Sequence, residues 1–197
     1  MNYLAHIYLS GSDEDLMIGN FIADSVRGRD LENYPESVRR GIVLHRKIDS
    51  FTDRHPIVHE SKNRLRPEFG KWPPVIVDVF YDHFLAAGWE KYSEEPLAAF
   101  SKRFYKTIRR RKDLLPERVR GFLPYMVYGN WLLGYSRLSG VEQALRGMSH
   151  RSRFNPGMHR SVSVLEKQYG AFQEEFERFF VELRAYTAEC ISGAVKL

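Results

Sequence analysis

Pro74-Val75-Ile76-Val77-Asp78-Val79-Phe80-Tyr81-Asp82-His83-Phe84-Leu85 is apolar around nearly the whole circumference of a helix. A helix with no polar face is buried. Two aspartates four residues apart share one face of it, and two ionised carboxylates held close in a dry interior repel each other unless a cation lies near them. Asp78 and Asp82 are therefore candidate metal ligands; the plainer reading pairs one with an arginine and turns the other to solvent.

Outward from that helix, apolar residues recur at helical spacing almost everywhere, and no stretch shows the period-two alternation of a half-buried strand. The reading is an all-α, single-domain helical bundle over residues 1–197, with no internal repeat or low-complexity linker. Helices are predicted over Tyr3 to Leu9, from the acidic run Asp13-Glu14-Asp15 to Gly28, from Pro35 to about Arg54, and from Pro73-Pro74 to near Gly88. Others are expected at about 95 to 112, 116 to 135, 139 to 149 and 162 to 192, with Ser149 to His159 as a loop. In the last helix Phe172, Phe176, Phe179, Phe180 and Leu183 form the core stripe.

The third helix places Val38, Ile42, His45 and Asp49 at i, i+4, i+7 and i+11, so a histidine and an aspartate face inward together. Asn20 and Asp24 share a face in the second helix, as do Asn2 and His6 in the first. One inward histidine is usually a satisfied core group. Several early helices each contributing His or Asp match the way bundles assemble metal sites. Asp53 is expected only to hydrogen-bond near its helix end, and His55 and His59, flanking Pro56 in a charged segment, to lie at the surface. Trp72, Trp89 and Trp131 are expected to pack.

The chain carries one cysteine, Cys190, and a net charge of +5. No disulfide can form within it, and its start, MNYLAHIYLSG, has neither the basic region nor the apolar run of a secretory leader, so the expected address is the reducing cytoplasm. No apolar run approaches the about 18 residues of a membrane span. A Gly-rich phosphate loop, HExxH, paired CxxC and GxSxG are all absent from the sequence. The one thiol, Cys190, lies near the C-terminus, which argues against cysteine catalysis. The basic balance points to an anionic partner, with Arg109-Arg110-Arg111-Lys112 as its densest cluster.

The runs Asn2-Tyr3-Leu4-Ala5-His6, Gly19-Asn20-Phe21-Ile22-Ala23-Asp24 with Arg27-Gly28, Gly41-Ile42 with His45-Arg46-Lys47-Ile48-Asp49 and Thr52-Asp53, and Asp78 with Asp82-His83-Phe84-Leu85 resemble, in order and spacing, the acyl carrier protein phosphodiesterase (holo-ACP hydrolase) family. A weaker likeness continues through Trp131, Tyr135, Leu145, Gly147, Met148 and Arg151. The resemblance implies an atypical, distant relative of the HD-domain metal phosphohydrolases, usually helped by manganese, that removes 4′-phosphopantetheine from the serine of holo-acyl carrier protein. HD proteins carry a His-Asp doublet, whereas this chain has Asp82-His83, so that superfamily's ligands do not transfer.

On this reading Asp24, His45, Asp78 and Asp82 are expected to hold Mn2+ or another divalent ion. His6, Asp24, Asp82 and His83 are expected to take part in catalysis, with His6 or His83 supplying the leaving-group proton. Asn20, Arg27, Arg46 and Asp49 are expected to contact substrate, and Arg109, Arg110 and Arg111 to dock the acidic carrier. The alternatives are another phosphohydrolase, acting on nucleotides, and a basic nucleic-acid-binding module. The latter ranks last because it leaves the paired aspartates unexplained; neither nucleic acid nor membrane is an expected partner.

Overall fold

The computed structural model describes residues 1–193, and all regular structure among them is helical. The α-helices are α1 (Tyr3–Leu9), α2 (Glu14–Ile22), α3 (Glu36–Arg54), α4 (Pro56–Phe69), α5 (Pro73–Ala87), α6 (Leu97–Arg110), α7 (Glu117–Tyr128), α8 (Trp131–Gly134), α9 (Leu138–Arg151), α10 (Val162–Lys167) and α11 (Tyr169–Ser192). Short 3₁₀ turns link several of them. No described helix is long and apolar enough to cross a membrane.

α5 is the central rod: Ile76, Val77, Val79, Phe80, Tyr81 and Leu85 are completely buried, and Asp82 is too. α11 lies along it. Phe80 meets Phe172 edge-on at 5.4 Å between ring centroids, and Tyr81 meets Phe176 at 5.5 Å, so the predicted stripe of Phe172, Phe176, Phe179, Phe180 and Leu183 forms one wall of the core. Each such side chain contributes about 1.5–3 kcal/mol relative to exposure.

α2 and α3 cross at backbone contact. A Cβ on Gly19 would lie 2.0 Å from the Val38 carbonyl oxygen, and one on Gly41 would lie 2.2 Å from that of Leu16. Only hydrogen fits at either position, and the crossing sets Asn20 on α2 beside His45 on α3.

Several boundaries differ from the sequence expectation. α4 is an additional helix: Pro56 occupies its first turn, where a missing N–H costs nothing, and Ile57, Val58, Ser61, Leu65 and Phe69 turn inward from an otherwise charged segment. This corrects the placing of His55 at the surface, since its ring is buried against Phe179 and Nε2 lies 3.2 Å from Glu182, while His59 is exposed. The second predicted helix stops at Ile22 and continues as separate 3₁₀ turns, Ala23–Ser25 and Gly28–Asn33. The span expected at 116 to 135 breaks at Gly129-Asn130, where Asn130 takes a left-handed conformation, and the 162 to 192 span breaks at Gln168. α9 runs on to Arg151, two residues past its expected end.

Candidate metal centre

Three helices deliver the cluster: α1 carries His6, α3 carries His45 and Asp49, and the 3₁₀ turn after α2 carries Asp24. The His6 and His45 rings stack, with centroids 4.0 Å apart and planes 20° from parallel. His45 Nε2 lies 3.0 Å from Asp49 and 3.2 Å from Asp24, and His6 Nε2 lies 3.1 Å from Asp49. One ligand atom from each of His6, His45 and Asp49 falls within 4.8 Å of the others.

Both imidazoles are aimed by one residue. His6 Nδ1 donates to the Asn20 side-chain oxygen at 2.7 Å, and His45 Nδ1 donates to the Asn20 backbone oxygen at 2.9 Å. The Asn20 amide nitrogen in turn donates to the His6 carbonyl and to Ser10 Oγ, each at 2.9 Å. With its proton on Nδ1, neutral His6 presents the Nε2 lone pair to the cluster, the arrangement by which an outer hydrogen bond fixes a ligand's tautomer. Asn20 was expected at the substrate; its amide is fully buried and used within the protein.

The electrostatics divide the two rings. Burial, aided by the neighbouring His45, pushes His6 down to about 4, so it is neutral near pH 7. Burial also opposes charge on His45, but hydrogen bonds to Asp24 and Asp49 outweigh it and lift the ring to about 9. Burial opposes ionisation of Asp49 too, yet the hydrogen bond to His45 and the charge of the Met1 amino group hold its carboxyl well below the usual range. Asp24 is lowered chiefly by its bond to His45. Asp24 is the exposed member of the set and borders a surface cavity; His6 and His45 are buried and Asp49 is partly buried.

The donors suit a divalent cation. His6 Nε2 is buried, lies 3.1 Å from Asp49 and has no hydrogen-bond partner. An orphaned imidazole lone pair beside a second imidazole and an ionised carboxylate is the nitrogen and oxygen donor set that zinc, iron and manganese accept.

Asp78 and Asp82 have other partners, which revises the argument for a cation between them. Asp78 receives the Met1 amino group at 2.9 Å, and that amino group lies 4.0 Å from Asp49. Asp82 accepts the backbone N–H groups of Leu4 at 2.7 Å and Ala5 at 3.2 Å. Those are unpaired donors of the first turn of α1, whose own Asn2 makes no side-chain cap, so Asp82 caps α1 from a neighbouring helix. Burial still pushes its carboxyl up to about 7. His83 stands apart from the cluster, with Nδ1 bonded to the Tyr135 carbonyl at 2.7 Å and Nε2 to the Tyr169 hydroxyl at 3.0 Å. Arg27 and Arg46 are exposed, and Arg46 reaches the Val26 carbonyl at 3.5 Å. Asp53 pairs with Lys62 at 2.9 Å.

Of the three predicted docking arginines, Arg110 is tied to Glu14 and Arg111 to Asp15, while Arg109 borders a groove with Lys102 and Lys106. Those three are i, i+4 and i+7 on one face of α6, and among the described residues they have no carboxylate partner.

Comparison with known proteins gives one consistent answer. The profile of the family described as acyl carrier protein phosphodiesterase matches residues 1–183. An acyl carrier protein phosphodiesterase of Enterobacter sp. (strain 638) is 33% identical over 181 residues, covering 91% of this chain and 94% of that protein. Those of Salmonella dublin and Salmonella newport (strain SL254) are each 32% identical over 189 residues, covering 95% of this chain and 98% of theirs. No solved structure matches.

Proposed function

This chain belongs to the acyl carrier protein phosphodiesterase family, and from that premise we propose that it hydrolyses holo-acyl carrier protein to the apo form and 4′-phosphopantetheine with the help of a divalent metal. The observation that carries the metal half is the buried, partnerless Nε2 of His6 facing His45 and Asp49. We treat residues 1–197 as one domain, distantly HD-like, acting in the cytoplasm.

His6 Nε2, His45 Nε2 and Asp49 would hold the ion, with Asp24 at the open side. A divalent ion, manganese on the family resemblance, would neutralise charge on the phosphoryl oxygens and acidify a bound water. Asn20 holds both rings in the ligating orientation, and the proton on His45 Nε2 leaves when the site is loaded. Asp24, ionised and exposed at the rim, accepts a hydrogen bond from the attacking water and aligns it. Water adds to phosphorus, the bond from phosphorus to the carrier serine oxygen breaks, and that oxygen takes up a proton. The bound tautomer of His6 has no proton on Nε2 and His83 is engaged elsewhere, so the proton reaches the serine oxygen from solvent. Asp78 and Asp82 act as positioning groups: they pin the start of α1 and with it His6. The acidic carrier docks on the open face of Lys102, Lys106 and Arg109.

Mass spectrometry of holo-acyl carrier protein incubated with this protein tests the reading. Loss of the 4′-phosphopantetheine mass with manganese, abolished by chelation, is expected. An intact carrier across a panel of divalent metals overturns the reaction, and cleavage that survives exhaustive chelation overturns the metal.

A further inference from the structure

A surface cavity of about 390 Å3 opens beside the cluster, bordered by Asn2, Tyr3, Asp24, Asp78, Arg118 and Arg151. Asp24 joins it to the candidate centre, because the same carboxyl lies 3.2 Å from His45 Nε2. Tyr3 comes from the start of α1, Arg118 from the first turn of α7, and Arg151 is the last residue of α9. Two helices that give nothing to the metal cluster thus each deliver an arginine to its mouth.

The charged side chains of this mouth are not equally free. Asp78 is held by the Met1 amino group at 2.9 Å, and Asp24 by His45. Arg118 and Arg151 are exposed, and among the described residues neither has a carboxylate partner, so their positive charge is available to an anion. The phenol of Tyr3 places them close to Asp24: burial and then Asp24 push its hydroxyl above the usual range, while Arg151 and Arg118 pull it back. Both guanidinium groups therefore share one space with the carboxyl that reaches the cluster. Arg27 and Arg46, the arginines expected at the substrate, do not border it.

We propose that Arg118 and Arg151 bind the substrate's phosphodiester in this mouth, donating to its two non-bridging oxygens and holding the phosphorus beside Asp24. A guanidinium offers a planar fork of N–H donors that matches phosphate oxygens and stays charged at any working pH. Two of them, carried by different helices, orient the group as well as attract it. When water attacks, charge spreads over those same oxygens, so the pair stabilises the transition state at least as well as the bound ester. The assignment rests on the phosphodiesterase reading and deepens it by naming the side chains that recognise the phosphoryl group. Since the arginines address phosphate and not the carrier, a small phosphate ester suffices to detect them.

The test titrates the full chain by calorimetry with 4′-phosphopantetheine and with pantetheine, which differ only in the phosphate, in the presence and absence of manganese. Arg118→Gln and Arg151→Gln remove one charge each from separate helices, so misfolding of one leaves the other to decide. Arg120→Gln, on α7 but outside the mouth, is the control. The expected result is that the phosphate ester binds more tightly than pantetheine and that either mouth variant weakens it by about 10–100-fold, as befits loss of a hydrogen bond to a charged group. Arg118→Lys and Arg151→Lys should recover part of that loss. Pantetheine binding and manganese affinity should stay as in the parent, which separates recognition of phosphate from general damage to the site, and kcat/KM for the holo-carrier should fall by at least the same factor. Parental affinity for 4′-phosphopantetheine in a folded Gln variant, or equal affinity of the parent for both probes, overturns the clamp, while cleavage by the parent leaves the reaction standing. Arginine-dependent binding of the phosphate ester in a parent that cleaves no carrier supports the anion site and overturns the reaction instead.

Discussion

Replacing Asn20 by leucine, close in shape but without polar atoms, tests the clamp on the two histidines. Three hydrogen bonds go: from His6 Nδ1, to the His6 carbonyl and to Ser10 Oγ. The carbonyl keeps its bond from Ser10 Oγ at 2.8 Å, so the group left stranded is the buried His6 Nδ1–H. A stranded buried donor costs about 1–3 kcal/mol, each lost bond is worth about 1 kcal/mol net, and the added apolar contact offsets part. Asn20→Leu should therefore destabilise the metal-free protein by about 2–4 kcal/mol in urea melts. Freed of its outer bond, His6 can turn or change tautomer, and affinity for manganese by calorimetry should fall about 10–100-fold. Ser10→Ala serves as the control, costing about 0.5–1.5 kcal/mol while leaving metal affinity intact. Wild-type manganese affinity in Asn20→Leu would show that this residue does not orient the ligands, and unchanged stability as well would refute the hydrogen-bond network itself.

Gly41→Ala puts a methyl 2.2 Å from a backbone oxygen of α2, where no side chain can swing aside, so the helices must part. Overpacking of about 1–3 kcal/mol in denaturant melts and a loss of about 100-fold in kcat/KM are expected, against no effect of Gly28→Ala, whose Cβ meets nothing within 4 Å. His45 titrates at about 9 in the fold against 6.5 unfolded, so folding takes up a proton between those values. Its contribution is complete below about pH 6.5 and is lost as pH rises through about 9. Melts of the metal-free protein across that window should show the decline, and a His45→Gln variant that declines just as steeply would assign it to another group. Reversing charge at Lys102, Lys106 and Arg109 should lower kcat/KM for the carrier at low salt, with the difference shrinking as salt is added. An unaffected triple variant would move docking to another face.

The helical class was legible in residues 74–85 because a helix apolar on all sides has one place to go, the core. Periodicity also placed His45 and Asp49 on one inward face, since four residues on a helix is a local relation. Composition concealed α4, whose inward apolar residues are spaced among charges and interrupted by Pro67 near the helix end. The contacts that spacing did not reveal were those made between helices. Sequence spacing brought Asp78 and Asp82 together, but the partners that satisfy them, the Met1 amino group and the first N–H groups of α1, lie more than seventy residues away. The joining of His6 to His45 and Asp49, the clamp by Asn20 and the pairing of Arg110 and Arg111 with Glu14 and Asp15 were likewise decided only when α1, α2, α3 and α6 packed. A sequence specifies which face of each helix is apolar, but which polar groups then meet depends on crossing angles and on close approaches such as Gly19 against Gly41, and those exist only in the tertiary structure.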